Sequence, residues 1–205
     1  MRVGVLGTGK MGTGLGGQFA RAGHDVFMGS RDEGKGKSAG AALGGSGGTY
    51  AEAAAHGDVV LLTTPWTAVE ETLAAAGGLD GKVLVDVTNP YGQEGLIEFP
   101  GSSAAQEVAR MAPGAKVVKG WNHIFSAIAN STPSFGAVPA TVFLAGDDVE
   151  AKTAVATLAR DAGYDPVDTG PLVSAKLVEA VAGLVIGLAY DQELGTEIGL
   201  VLARR

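Results

Sequence analysis

At 205 residues the chain is long enough for one α/β domain with a sizeable core, or for one domain with a small appendage, and tight for two full domains. Twenty-two acidic against 15 basic residues give a net charge of −7, which argues against nucleic acid or an anionic membrane surface as the main partner. The absence of cysteine excludes disulfides, thiol catalysis and thiolate metal sites. A first strand starting at residue 2 leaves no room for a signal peptide, and no apolar run reaches the roughly 18 residues of a membrane span, so a cytoplasmic protein is expected.

In chain order, Arg2 to Leu6 reads as a short buried strand, followed by a glycine turn and a helix whose buried stripe is Met11, Leu15 and Phe19 and whose end is Gly23. Asp25 to Gly29 is a second strand. Seven glycines among Gly34 to Gly48 predict only a short or frayed helix there, because glycine costs a helix interior about 1 kcal/mol relative to alanine. Thr49 and Glu52 have capping-box spacing ahead of a helix ended by Gly57. Asp58 to Thr63 is a continuous apolar strand of the parallel-sheet kind, stopped by Thr64-Pro65. Trp66 to Ala76 is helical, with Val69, Leu73 and Ala76 on one face, and Lys82 to Val87 is the next strand. The stretch through Pro100 has too little periodicity to assign. Ser103 and Gln106 open a helix to Met111, and Ala115 to Val118 is strand. Asn122 to Gly136 reads as loop or broken helix, Thr141 to Ala145 as strand, Val149 to Asp161 as helix, Asp165 to Asp168 as strand, and Ser174 onward as mostly helix.

Such alternation predicts an α/β, doubly wound, mostly parallel sheet with a small C-terminal helical portion, and places ligands beyond the carboxyl ends of the strands. The first of those ends carries Gly7-Thr8-Gly9-Lys10-Met11-Gly12, a G-x-G-x-x-G between strand and helix. Gly7 permits the tight turn, Gly9 lets backbone approach a pyrophosphate, Gly12 lets helix and sheet pack closely, and the helix N-terminus faces the phosphates. An NAD site normally has Asp or Glu at the end of the second strand. Here the tip is Ser30-Arg31, with Lys35 beyond, and a hydroxyl with a guanidinium suits the 2′-phosphate of NADP. Asp32 beside them would pair with Arg31 or accept a ribose hydroxyl. The other strand ends, Thr63-Thr64-Pro65-Trp66, Thr88-Asn89-Pro90 and Gly120-Trp121-Asn122-His123, bring hydroxyls and amides with almost no carboxylate. They suit an uncharged cradle for ribose and carboxamide, not acid–base catalysis by paired carboxylates.

His123 is the one candidate catalytic side chain, weighed against a structural loop histidine. His24 is expected to cap a helix or lie at the surface, and neither it nor His56 has metal-ligand spacing, so no metal is expected. Trp66 is expected to pack in the core, and Trp121 to pack there or to stack on a ring. Leu177, Val181, Leu184 and Leu188 form an apolar stripe on the last helix, for packing within the chain or for a dimer.

GTGKMG with AGHDVFMGSRD, the TTPW at Thr63 to Trp66, DVTNP at Asp86 to Pro90, VVKGWN at Val117 to Asn122, and GDD with DAGYDPVDTGPL together resemble the NADPH-dependent coenzyme F420 reductase (F420H2:NADP oxidoreductase) family. That family sits in a wider group with the reductase domain of STEAP-type metalloreductases. The resemblance implies a Rossmann-type domain over residues 1–170, and a helical segment over 171–205 that covers an acceptor pocket and forms a homodimer. It implies an enzyme that passes hydride between NADP(H) and F420, with small-molecule cofactors as its partners. Carried over by position, Thr8 to Met11 would hold the pyrophosphate, and Ser30, Arg31 and Lys35 the 2′-phosphate. Thr64, Pro65 and Trp66 would line the path to the nicotinamide, and Asn89 would lie near its ribose. Where the family has a His-Thr pair this chain has Asn122-His123. That departure keeps open a different acceptor (a flavin, a ferric complex, a small carbonyl or imine), and the lack of an acid–base pair keeps open an NADP-sensing module.

Overall fold

A computed structural model describes residues 1–92 and 95–204. The chain opens with β1 (Arg2–Leu6), α1 (Lys10–Arg21), β2 (Asp25–Ser30), α2 (Glu33–Ala42) and β3 (Ser46–Thr49). It continues through α3 (Tyr50–His56), β4 (Val59–Leu62), a 3₁₀ turn at Trp66–Ala68, α4 (Val69–Ala76) and β5 (Val83–Asp86). A two-residue hairpin, β6 (Tyr91–Gly92) with β7 (Gly95–Leu96), precedes α5 (Ala104–Met111) and β8 (Lys116–Lys119). The single turn α6 (Ser126–Ala129) and a second hairpin, β9 (Ser134–Phe135) with β10 (Val138–Pro139), lead to β11 (Thr141–Gly146). Last come α7 (Val149–Asp161), β12 (Asp165–Asp168), a 3₁₀ turn at Leu172–Ser174 and α8 (Ala175–Tyr190).

Eight strands form one sheet in the order β12-β11-β8-β5-β4-β1-β2-β3. Every pair from β3 to β8 is parallel, β11 runs antiparallel to β8, and β12 is parallel to β11. The order reverses direction between β1 and β4, and the crevice above that switch point is where a doubly wound sheet takes ligands. Both faces are covered. Val3, Val59 and Leu61 point to the side packed by α1 and α7, while Leu6, Val60 and Leu62 point to the side packed by α3, α4, α5 and α8. All four residues of β4 are buried, as its unbroken apolar run requires.

The glycine-rich segment is more ordered than its composition suggests. α2 runs ten residues, and β3, a strand absent from the sequence expectations, pairs in parallel with β2 at the sheet edge. A Cβ at Gly36 or Gly40 would collide with the backbone of Gly48 or Ser46, so the glycines let the α2 backbone lie directly on β3. The capping box at Thr49 forms in both directions, and Ser103 accepts from the Gln106 amide at 3.2 Å. His24 is not at the surface: its ring packs edge-on against Phe19 with centroids 6.4 Å apart.

The stretch Leu172–Tyr190, 19 residues of mean hydropathy 1.9, is by length and composition long and apolar enough to cross a membrane, although Lys176 and Glu179 interrupt it. Here it lies on the sheet. The Glu179 carboxylate accepts both Ala104 N and Ala105 N at 3.0 Å, capping α5 from a neighbouring helix, and lies 3.3 Å from Lys119 Nζ. Lys119 is wholly buried and also donates to Asp86 Oδ2 at 2.9 Å and to the Thr88 carbonyl at 2.6 Å. Removing one partner from a buried pair costs about 3–5 kcal/mol, so this cluster holds α8 to the sheet.

Candidate functional site

Two cavities flank the N-terminus of α1. The first, about 460 Å³, lies above β1, β2 and β4 and is lined by Thr8, Ser30, Arg31, Lys35, Thr64 and Pro65, together with Asp32, Tyr50 and Glu71. The second, about 210 Å³, lies above β5 and β8 and is lined by Met11, Asn89, Trp121, Asn122 and His123, with Ile186 from α8 as one wall. The backbone between them is the glycine turn. Gly7 sits at φ +127°, a conformation that side chains rarely adopt, and donates its N–H to the Gly29 carbonyl at 3.0 Å. A Cβ at Gly12 would strike the Gly7 carbonyl. Gly9 differs from both. Its φ of −74° and ψ of 177° suit any residue, and a Cβ there would meet nothing in the protein within 4 Å. Beyond its place as the helix N-cap, the protein makes no internal use of glycine at that position, and the missing side chain leaves the first turn of α1 open to close approach from outside.

At the first cavity, Ser30 Oγ accepts from Asp32 N at 3.2 Å, and Asp32 Oδ1 caps α2 by accepting from Lys35 N at 3.1 Å. The expected pairing of Asp32 with Arg31 is not made. Arg31 Nη1 instead lies 3.7 Å from Glu71 Oε2 on α4, a residue that sequence order hides because it stands 40 positions away in a different βα unit. Thr64 Oγ1 is buried at this cavity with no hydrogen-bond partner.

The second cavity has no charged side chain among its described lining residues. Asn89 Nδ2 donates to the Asn122 carbonyl at 2.6 Å, and Asn122 Nδ2 donates to Asn89 Oδ1 at 3.2 Å and to the Val178 carbonyl of α8 at 3.3 Å. The two amides thus clamp the β5 and β8 ends together. Asn122 Oδ1 and His123 Nδ1 are left buried without partners, a deficit of about 1–3 kcal/mol each that a bound polar group would relieve. His123 is 2 % exposed, and its Nε2 donates to the Thr141 carbonyl at 3.0 Å, which leaves Nδ1 as a bare acceptor. Burial pushes its pKa below the ordinary value, so the ring is neutral near pH 7 and holds no proton at Nδ1 to give. Trp121 sits at φ 56°, in the left-handed region that non-glycine residues occupy at a cost of order 1–3 kcal/mol and mostly at functional sites. Its ring is fully buried, edge-on to Phe19 at 5.8 Å and to Tyr164 at 5.9 Å, so it packs the core while its residue lines the cavity.

Beyond the glycine turn itself, three residues expected at the site line neither cavity. Thr63 Oγ1 donates to the Leu6 carbonyl at 2.9 Å and braces the glycine turn, Trp66 packs edge-on against Phe99 at 5.4 Å, and Pro90 borders a separate groove beside α8. Lys10 is exposed on the first turn of α1, its carbonyl accepting from Asn130 Nδ2 at 2.8 Å. No cluster of side chains fit to hold a metal ion occurs among the described residues.

The topology, the glycine turn and the crevice at the switch point define a Rossmann-type dinucleotide-binding fold. Residues 2–90 match the model for NADP oxidoreductase, coenzyme F420-dependent. The chain is 34% identical to the F420-dependent NADP reductase of Methanothermobacter marburgensis, over 92% of each chain, and it belongs to that family. It is also 33% identical to the metalloreductase STEAP3 of Rattus norvegicus over 88% of its own length, and spans only 36% of that larger protein. A solved structure from Arthrobacter sp. FB24, described as a candidate F420-dependent NADP-reductase, superposes over 100% of both chains with a TM-score of 0.87 at 29% identity.

Proposed function

We propose that this chain is an oxidoreductase that exchanges hydride between NADP(H) and the deazaflavin coenzyme F420. The observation that carries the reading is likeness over 92% of the chain to an F420-dependent NADP reductase. Thr8, Gly9, Lys10 and Met11 hold the pyrophosphate at the α1 N-terminus, with Gly7 and Gly12 shaping the turn. Ser30, Arg31 and Lys35 hold the 2′-phosphate. Thr64 and Pro65 line the adenosine end, and Asn89 and Asn122 hold the ribose and carboxamide at the second cavity. The nicotinamide and the deazaflavin supply the hydride chemistry, so the chain's own task is orientation and exclusion of water. An uncharged acceptor cavity and a neutral, proton-poor His123 fit that division of labour.

The segment 171–205 covers the acceptor side: Ile186 of α8 already forms a wall there. Its outer side carries Val173, Leu177 and Leu184, between 47 and 64 % exposed, and a second copy of the chain covers that stripe. Light scattering should give a dimer; a monomer at working concentration would remove this part of the reading.

The purified protein mixed with oxidised F420 should bleach the deazaflavin absorbance with NADPH and far more slowly with NADH. The likeness to STEAP3 and the Asn122-His123 departure favour a flavin or ferric complex as the second acceptor to try. NADPH binding with no bleaching of F420, flavin or ferric complex would leave a sensing module.

A further inference from the structure

The Arg31–Glu71 pair spans the mouth of the first cavity, joining the tip of β2 to α4 across the end of β1. Four charged side chains line that cavity: Arg31, Asp32, Lys35 and Glu71. Asp32 is engaged as the α2 cap, and Ser30 Oγ faces the Asp32 amide, so Glu71 is the carboxylate that meets Arg31. Both partners are more than two-thirds exposed, so the pair is weak and its loss leaves no buried charge behind. Resting on the NADP reading above, we propose that Glu71 is a specificity-determining residue: it holds the Arg31 guanidinium as counter-ion and competes for it with the 2′-phosphate, which loosens NADPH without touching NADH.

The competition follows from charge and geometry. The guanidinium carries one positive charge that a phosphate dianion and a carboxylate both attract, and its Nη1 is turned toward Glu71 across the cavity mouth. To meet the 2′-phosphate fully, Arg31 must give up that contact with Glu71. A ligand that lacks the phosphate asks nothing of Arg31 and leaves the pair intact. The arrangement lowers the preference for NADPH below what Arg31, Ser30 and Lys35 would give alone.

Glu71→Gln keeps the size and helix position of the side chain while removing its charge. Titrated at low ionic strength with 2′,5′-ADP and NADPH, and in parallel with 5′-AMP and NADH, the variant should bind the first two about 3- to 10-fold more tightly and the last two within twofold of the parent. In an Arg31→Ala background, which itself weakens NADPH far more than NADH, the same change should give less than a twofold gain. Unchanged or weaker NADPH binding, equal tightening of NADPH and NADH, or a gain that persists in full without Arg31 would each overturn the proposal. Failure of the underlying NADP reading shows separately, in the parent protein, as equal affinity for 2′,5′-ADP and 5′-AMP. A thermal melt of the variant matching the parent confirms that the comparison is between folded proteins.

Discussion

The two cavities on either side of α1 are built in opposite ways. The nucleotide end takes Thr8, Ser30, Arg31 and Lys35 from neighbouring turns near the start of the chain, is closed by Thr64, Pro65 and Glu71 from later elements, and is charged. The acceptor end draws on Met11, Asn89, Asn122-His123 and Ile186, from four separate stretches, and it is uncharged. A phosphate is recognised by charge that any local turn can present, whereas a flat aromatic acceptor is recognised by shape, which needs walls from distant parts of the chain.

The two ends come apart most visibly at Gly9. Because a Cβ there meets nothing in the protein, Gly9→Val should leave the fold standing, at a cost of about 1 kcal/mol for a poorer helix N-cap, or roughly 2–4 °C in melting temperature. Dinucleotide binding should fall at least about 100-fold, since the added methyls occupy the place of the pyrophosphate. Titration with NADPH and a thermal melt on one sample check both halves; retained binding would take the phosphate away from this turn.

A smaller effect sharpens the acceptor side. His123 has its pKa lowered by burial, so below its ordinary value near 6.5 the unfolded chain takes up a proton that the folded chain refuses. Stability should therefore be insensitive to His123 above pH 7 and decline as pH falls from about 6.5 toward 5.5, by at most about 1.4 kcal/mol per pH unit. His123→Leu should lose that part of the slope while keeping the contact of the side chain with Phe143, whose ring lies 5.1 Å from the imidazole. Denaturation at pH 7.5 and 5.5 for both proteins reads it out, and an identical slope would mean that His123 titrates normally.

The same contrast decides what is legible in the sequence. Local signals of structure held: the glycine turn between β1 and α1, the two N-cap spacings at Thr49 and Ser103 and the apolar run of β4 each act within a few residues, and Ser30 and Arg31 line one cavity. What escaped was set by long-range pairing or close approach. β3 is hidden because its glycines, like those of α2, serve the contact between the two, and composition alone reads them as a short or frayed helix. The antiparallel insertion of β11 leaves no trace in a strand pattern that looks the same in either direction. Lys119, just past the strand assigned to Val118, meets Asp86 from 33 positions away, and Glu71 meets Arg31 from 40.

The reach of Glu179 bears on how the chain is made. Until α8 is in place, the α5 amides at Ala104 and Ala105 lack their acceptor and the Lys119 ammonium has only Asp86 for a counter-charge. Still later residues finish β11, whose Thr141 donates its N–H to the Leu200 carbonyl and whose hydroxyl accepts from Leu202 N. A nascent chain emerging from the ribosome can nucleate on its first βαβ units, but the middle of the sheet gains its last polar partners only when the final 30 or so residues have been synthesised.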